Sequence, residues 1–167
     1  MKEFQFKSGS SLLGPGDGKS YWQPVPANGF VRTLFNSKEL GAHSRFSAGT
    51  QTIDPGCFVR EHMHDEHEEI IYIFEGQGSV VLDGVEHQLS PGASLFLSRE
   101  SSHKFINPGP EPLSFFWILM PGGLDDFFRQ IGRPRFVDQQ APAPFARPEN
   151  IAEIEANTVF GCVKGES

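Results

Sequence analysis

Short apolar runs separated by turn residues run through the middle of this chain. Val80-Val81-Leu82 and Val85-Glu86-His87-Gln88-Leu89 flank Asp83-Gly84, which predicts two strands joined by a two-residue hairpin. The same punctuation recurs at Asp54-Pro55-Gly56, Gly76-Gln77-Gly78, Pro91-Gly92 and Asn107-Pro108-Gly109. Between these turns lie β-branched and aromatic segments such as Ile70-Ile71-Tyr72-Ile73-Phe74. The pattern predicts an all-β antiparallel sandwich or barrel from residue 20 to about residue 120. The run from Leu113 to Leu119 is too apolar for a half-exposed strand, so it should bury both faces, or one of them in a dimer.

After Pro121-Gly122-Gly123 the period changes. Leu124, Phe127, Phe128 and Ile131 share one helical face, Asp125 and Asp126 favour its N-terminal end, and Gly132 with Pro134 ends it. Residues 138–148 are rich in Pro and Ala and read as an extended linker. Residues 148–157 read as a short second helix, with Ile151 and Ile154 facing the body. Residues 8–20, rich in Ser and Gly, read as an exposed loop. The expected organisation is an N-terminal arm (1–30), a β-domain (31–120), and a C-terminal helix and tail (121–167).

Composition narrows the function classes. A length of 167 residues suits one domain, and 38% apolar residues with 16 Phe suit an aromatic core. The formal net charge of −7 and the lack of a basic stripe argue against nucleic acid. No apolar run reaches membrane-spanning length, and Met1 to Lys7 lacks the apolar stretch of a signal peptide. Two cysteines, Cys57 and Cys162, make no disulfide framework, so a cytoplasmic setting is expected. Cys57 reads as a buried small hydrophobe and Cys162 as an incidental thiol.

Candidate chemistry centres on His62-Met63-His64. Histidines at i and i+2 point to one face of a strand. Glu69, at the head of the next strand, can meet them across a tight hairpin, and imidazoles with a carboxylate form a metal-ligand set. His67 reads as an exposed turn residue, His87 as a surface residue, and His43 belongs to no motif. Glu61, Asp65, Glu66 and Glu68 read as a solvated rim. Arg60 shares parity with His62 and His64, so in an unbulged strand it points inward. It is either a clamp for a substrate anion or the partner of acids beside Glu61. Ile71 and Ile73 share parity with Glu69, Phe105 with His103, and Phe115 with Trp117. These residues would line a largely apolar pocket for a small, oxygen-coordinating ligand, and ordinary core packing explains them equally well.

The spacing of Gly56, His62-Met63-His64, Glu69 and Gly76 resembles the first motif of the cupin superfamily, and His103 with Asn107 resembles the end of its second. The resemblance covers about residues 50–108. Arg99 and Ser101 stand where the family often has Pro and Gly. It implies a jelly-roll β-barrel with a short C-terminal helix and an extended tail. It also implies a divalent transition metal held by His62, His64, Glu69 and His103, with His103 arriving from a non-adjacent strand. Fe(II) would be the first expectation, with Mn, Ni, Cu or Zn as alternatives. The chain further resembles single-domain cupins grouped with quercetin-dioxygenase-like proteins. That implies O₂-dependent cleavage of a small phenol, enol or diketone, with the catalytic base unassigned. A non-redox isomerase, lyase or decarboxylase, or a non-catalytic binding module, would carry the same ligands. Phe4, Phe6 and the apolar 113–119 run add surface that a homodimer would cover. No nucleic-acid or membrane partner is expected.

Overall fold

The computed structural model describes residues 10–160. Among the described residues, eleven strands and three helices follow one another. The strands are β1 (Lys19–Trp22), β2 (Phe30–Asn36), β3 (Ser47–Ile53), β4 (Phe58–His62), β5 (Glu68–Glu75) and β6 (Gly78–Leu82), then β7 (Val85–Leu89), β8 (Ser94–Leu97), β9 (His103–Ile106), β10 (Leu113–Met120) and β11 (Arg133–Pro134). The helices are α1 (Ser37–Leu40), α2 (Leu124–Ile131) and α3 (Ile151–Ala156). One sheet has the order β11-β1-β2-β3-β10-β5-β8 and the other β4-β9-β6-β7. All pairings are antiparallel. The result is an all-β jelly roll whose two sheets are not joined by a continuous hydrogen-bonded ladder.

Side-chain alternation explains how the sheets face each other. On β5, Glu69, Ile71 and Ile73 are buried, whereas Ile70, Tyr72 and Phe74 are exposed. On β10, Leu113, Phe115, Trp117 and Leu119 point into the core and Phe116 and Ile118 point out, half-buried. The four-stranded sheet contributes Val80 and Phe105, which are cross-strand partners and both buried. Phe105 stacks on Phe115 across the core with ring centroids 4.9 Å apart. Each such buried side chain contributes roughly 1.5–3 kcal/mol. Gly49 lies opposite Trp117, and a Cβ there would come within 2.5 Å of both the indole and the Arg32 carbonyl. The close approach of indole and backbone accounts for a glycine in mid-strand.

The Asp83-Gly84 hairpin forms as expected. Leu82 pairs with Val85, and the turn residues have φ of 46° and 84°, as a type I′ turn requires. Helix α2 also forms over the expected residues, with Leu124, Phe127, Phe128 and Ile131 all buried. Its first-turn Asp125 accepts a 2.6 Å hydrogen bond from Asn36 Nδ2. The Gly132 N–H closes the helix on the Phe128 carbonyl, and the chain leaves extended. The second short helix is α3, with Ile154 buried and Ile151 packed against the core.

Several finer expectations differ. The 8–20 loop ends early, because β1 begins at Lys19 and adds to the large sheet. Strand β11 pairs with β1, a link that no local pattern announced. His62 and Glu69 do not sit on a hairpin: β4 and β5 belong to different sheets, and residues 63–67 cross between them. Nor does His103 come from a non-adjacent strand. Strand β9 is the hydrogen-bonded neighbour of β4, and His62 and His103 are register partners. Cys57 is only partly buried, with its thiol accepting from Asn28 Nδ2 at 3.4 Å. Phe4, Phe6 and Cys162 lie outside the described residues.

Candidate metal centre

Strand β4 ends at His62, and the cross-over that follows carries Met63 and His64 inward. Glu69 enters at the head of β5, and His103 at the head of β9. These four residues converge at one end of the space between the sheets. The ligand atoms of His62, His64 and His103 all lie within 4.8 Å of one another. Glu69 Oε2 sits 3.5 Å from His64 Nε2 and 3.6 Å from His103 Nε2. His64, Glu69 and His103 are 2%, 4% and 1% exposed, so these three are shielded from bulk water, and His62 is half-buried.

The backbone orients all three imidazoles. His62 Nδ1 meets the Arg60 carbonyl at 2.8 Å, His64 Nδ1 the Val159 carbonyl at 2.7 Å, and His103 Nδ1 the Ser101 carbonyl at 2.9 Å. A carbonyl can only accept, so each Nδ1 carries the proton and, in the neutral ring, Nε2 keeps its lone pair. The Nε2 atoms of His64 and His103 are buried with no hydrogen-bond partner. Lone pairs and a carboxylate oxygen therefore face each other in a desolvated space, an arrangement that a cation or a proton between them relieves. The residues fit a divalent metal on these grounds.

Electrostatics favours neutral imidazoles at two of the three positions. Burial, then the like charges of His103 and His64, hold His62 well below the ordinary histidine range. Burial also lowers His103, against the pull of Glu69. Burial opposes the charged form of His64 too, but the Glu69 carboxylate and the Val159 carbonyl outweigh it, and its proton affinity rises. His67 is half-buried rather than exposed, and its Nδ1 has no partner. It lies outside the three-histidine group, its ring centroid 6.2 Å from that of His64. His43, His87, Glu61, Asp65 and Glu66 are exposed, and Glu68 is half-buried.

A cavity of about 80 Å³ adjoins the cluster. Arg60, Ile71, Phe105 and Phe115 line it, together with His62 and Glu69. Ile73 and Trp117 are fully buried in the core but do not reach it. The pairing register shifts between Val59 and His62, and both Val59 and Arg60 reach the cavity. A shift of this kind marks a β-bulge or irregularity, and across it Val59, Arg60 and His62 all line the cavity. Arg60 does not pair with acids beside Glu61; its Nη2 donates to Glu155 of α3 at 2.5 Å.

Sequence reasoning missed what the C-terminal segment, the loop after β1 and strand β3 bring to the site. The Phe160 ring lies 5.1 Å from those of His62 and His64 and 4.3 Å from that of Phe127. Arg147 donates to Glu155 Oε1, and both residues line the cavity. Gln51 Nε2 donates to Gln23 Oε1 at 2.6 Å, and this buried amide pair also borders the cavity. The apolar spacing that predicts α3 orients it against the body, but nothing local ties it to this end of the jelly roll.

A family profile described as "Cupin domain" matches residues 49–119. Protein SchB from Streptomyces halstedii is 37% identical over 101 residues, spanning 58% of this chain and 72% of SchB. The chain belongs to the cupin family. This cupin is also 34% identical over 79 residues to a quercetin 2,3-dioxygenase from Bacillus subtilis, spanning 47% of this chain and 23% of the dioxygenase. Among solved structures, that of a predicted oxalate decarboxylase from Thermotoga maritima superposes on the cupin with a TM-score of 0.51 at 23% identity, covering 64% of this chain and 94% of the other. That likeness supports the fold alone. No helix among the described residues of the cupin is long and apolar enough to cross a membrane.

Proposed function

We propose that this cupin is a metal-dependent oxygenase of dioxygenase type, acting on a small phenolic, enol or diketone substrate. The observation that carries the metal is the pair of buried, partnerless Nε2 atoms on His64 and His103 facing Glu69. In this reading His62, His64, His103 and Glu69 hold the ion. Iron(II) is the first expectation; Mn, Ni, Cu and Zn suit the same donors. The bound ion would supply Lewis acidity toward an oxygen-donor substrate and open coordination positions.

The protein's own groups do the rest. The carbonyls of Arg60, Val159 and Ser101 fix the imidazole tautomers. Phe105, Phe115, Ile71 and Phe160 form an apolar wall that excludes water and suits an aromatic or enolic ligand. Glu69 lines the cavity beside the histidines and, once loosened from the ion, would take a proton from a substrate hydroxyl. The redox character is supported by the quercetin 2,3-dioxygenase relative, whose match covers less than a quarter of that protein. A cytoplasmic homodimer belongs to the same reading.

The test is oxygen uptake by chelator-stripped protein reloaded with each metal and offered a panel of phenols and 1,3-diketones. Uptake with at least one metal and substrate, lost in His103→Ala, is the expected result. Turnover without oxygen uptake would sink the oxygenase reading, and stoichiometric metal binding by His103→Ala would sink the ligand assignment.

A further inference from the structure

Two arginines converge on a single carboxylate at the wall of the same cavity. Nη2 of Arg60 and Nη2 of Arg147 both donate to one atom, Glu155 Oε1. The three side chains are 40%, 20% and 25% exposed, so the cluster is half-buried at the cavity wall. Two positive charges face one negative. Each guanidinium carries five N–H donors in a planar fork. Among the described residues, one nitrogen on each is engaged by a side-chain acceptor, and Glu155 is the lone carboxylate within ion-pair distance of either. The site is over-supplied with donors of the geometry that reads carboxylates bidentately.

Glu155 sits on α3, a six-residue helix with Ile154 as its buried anchor. A six-residue element that docks through buried Ile154, partly buried Ile151 and an ion pair is drawn from the low-stability end of a fold. The carboxylate can therefore leave its partners without unfolding the sheets that carry the histidines. His62 and Glu69 border the same cavity as the arginines.

We propose that Arg60 and Arg147 are the anion-recognition end of this cavity, and that Glu155 occupies it as an internal stand-in for a substrate carboxylate. The substrate class narrows accordingly: a small acid that offers a carboxylate to the arginines and an oxygen donor toward the histidines. The inference rests on the metal reading for the second contact, but the first stands on the arginines alone.

Pyruvate and its neutral amide, pyruvamide, separate the two. Their affinities are measured by calorimetry on the full chain, both Ni-loaded and metal-free, with bound metal assayed in each sample. The wild type should prefer the acid. Arg147→Gln should weaken pyruvate about tenfold or more, leave pyruvamide unchanged and retain its metal. Glu155→Gln should tighten pyruvate at least about threefold without altering pyruvamide, because a competing internal carboxylate is gone. Equal changes for acid and amide in both variants, or no pyruvate binding by either the wild type or Glu155→Gln, would overturn the proposal. A wild type that takes up no nickel defeats the metal reading instead, and the acid–amide contrast is then read on the metal-free protein. If Arg147→Gln fails to fold, Glu155→Gln alone decides.

Discussion

Three histidines at one site hold their protons on Nδ1 because three backbone carbonyls accept there. That residue-level fact has a consequence for the metal-free protein. His62 and His103 are held below the ordinary value of 6.5, so the unfolded chain takes up protons that the folded chain refuses. Stability therefore rises with pH while the unfolded state binds more protons. As pH falls from 7 through about 6.5 these two residues withdraw stability, and the loss levels off below their folded values. His64 is raised and acts oppositely, contributing below 6.5 and losing its contribution as pH climbs through its folded value. His62, held well below the ordinary range, sets the expected sign. Urea denaturation of the chelated protein should give a lower midpoint at pH 5.5 than at pH 7.5, and the difference should shrink in His62→Phe. An equal or higher midpoint at pH 5.5 would contradict the buried neutral imidazoles.

At the scale of elements, the C-terminal segment is part of the site although it lies outside the two sheets. Val159 supplies the acceptor that orients His64, and Phe160 covers His62 and His64. Helix α3 buries Ile154 as its single fully buried side chain, whereas α2 buries four. Deleting the chain from residue 151 onward should therefore leave the sheets folded. Metal affinity should fall about 10–100-fold, the usual cost of losing a group that orients a ligand. Circular dichroism with a metal-competition titration checks both halves. Unchanged affinity would mean that the Val159 carbonyl orients nothing of consequence.

On the scale of the whole molecule, the outer face of the seven-stranded sheet is unusually apolar. Ile70, Tyr72 and Phe74 on β5 and Phe96 on β8 are exposed, with Phe96 at 62%. Ile118 and Phe116 of β10 lie in register with Ile70 and Tyr72 and continue the patch. An exposed apolar patch of this kind suits a second copy of itself about a two-fold axis, the surface that a homodimer would bury. Sedimentation velocity at micromolar concentration should show a dimer, and Phe96→Glu with Tyr72→Glu should convert it to a folded monomer. A wild-type monomer at that concentration would refute the pairing.

Much of this protein was legible in one dimension. Alternation along Glu69 to Phe74 separates inside from outside, because a strand's period is fixed by its backbone. Asp83-Gly84 determined its hairpin because few residue pairs tolerate two positive φ values. The period change after Gly123 marked α2, and the spacing around His62, His64 and Glu69 singled out the residues that converge. All of these are local, set by neighbours a few positions apart. Tertiary structure alone decided that β4 and β5 lie in different sheets, that His103 arrives from the strand beside His62, and that Arg60 meets Glu155. It also brought Arg147, Glu155 and Phe160 to the cavity, more than eighty positions along the chain from His62. Those contacts depend on how separate elements dock, a choice made by the packing of the whole core and invisible in any window of sequence.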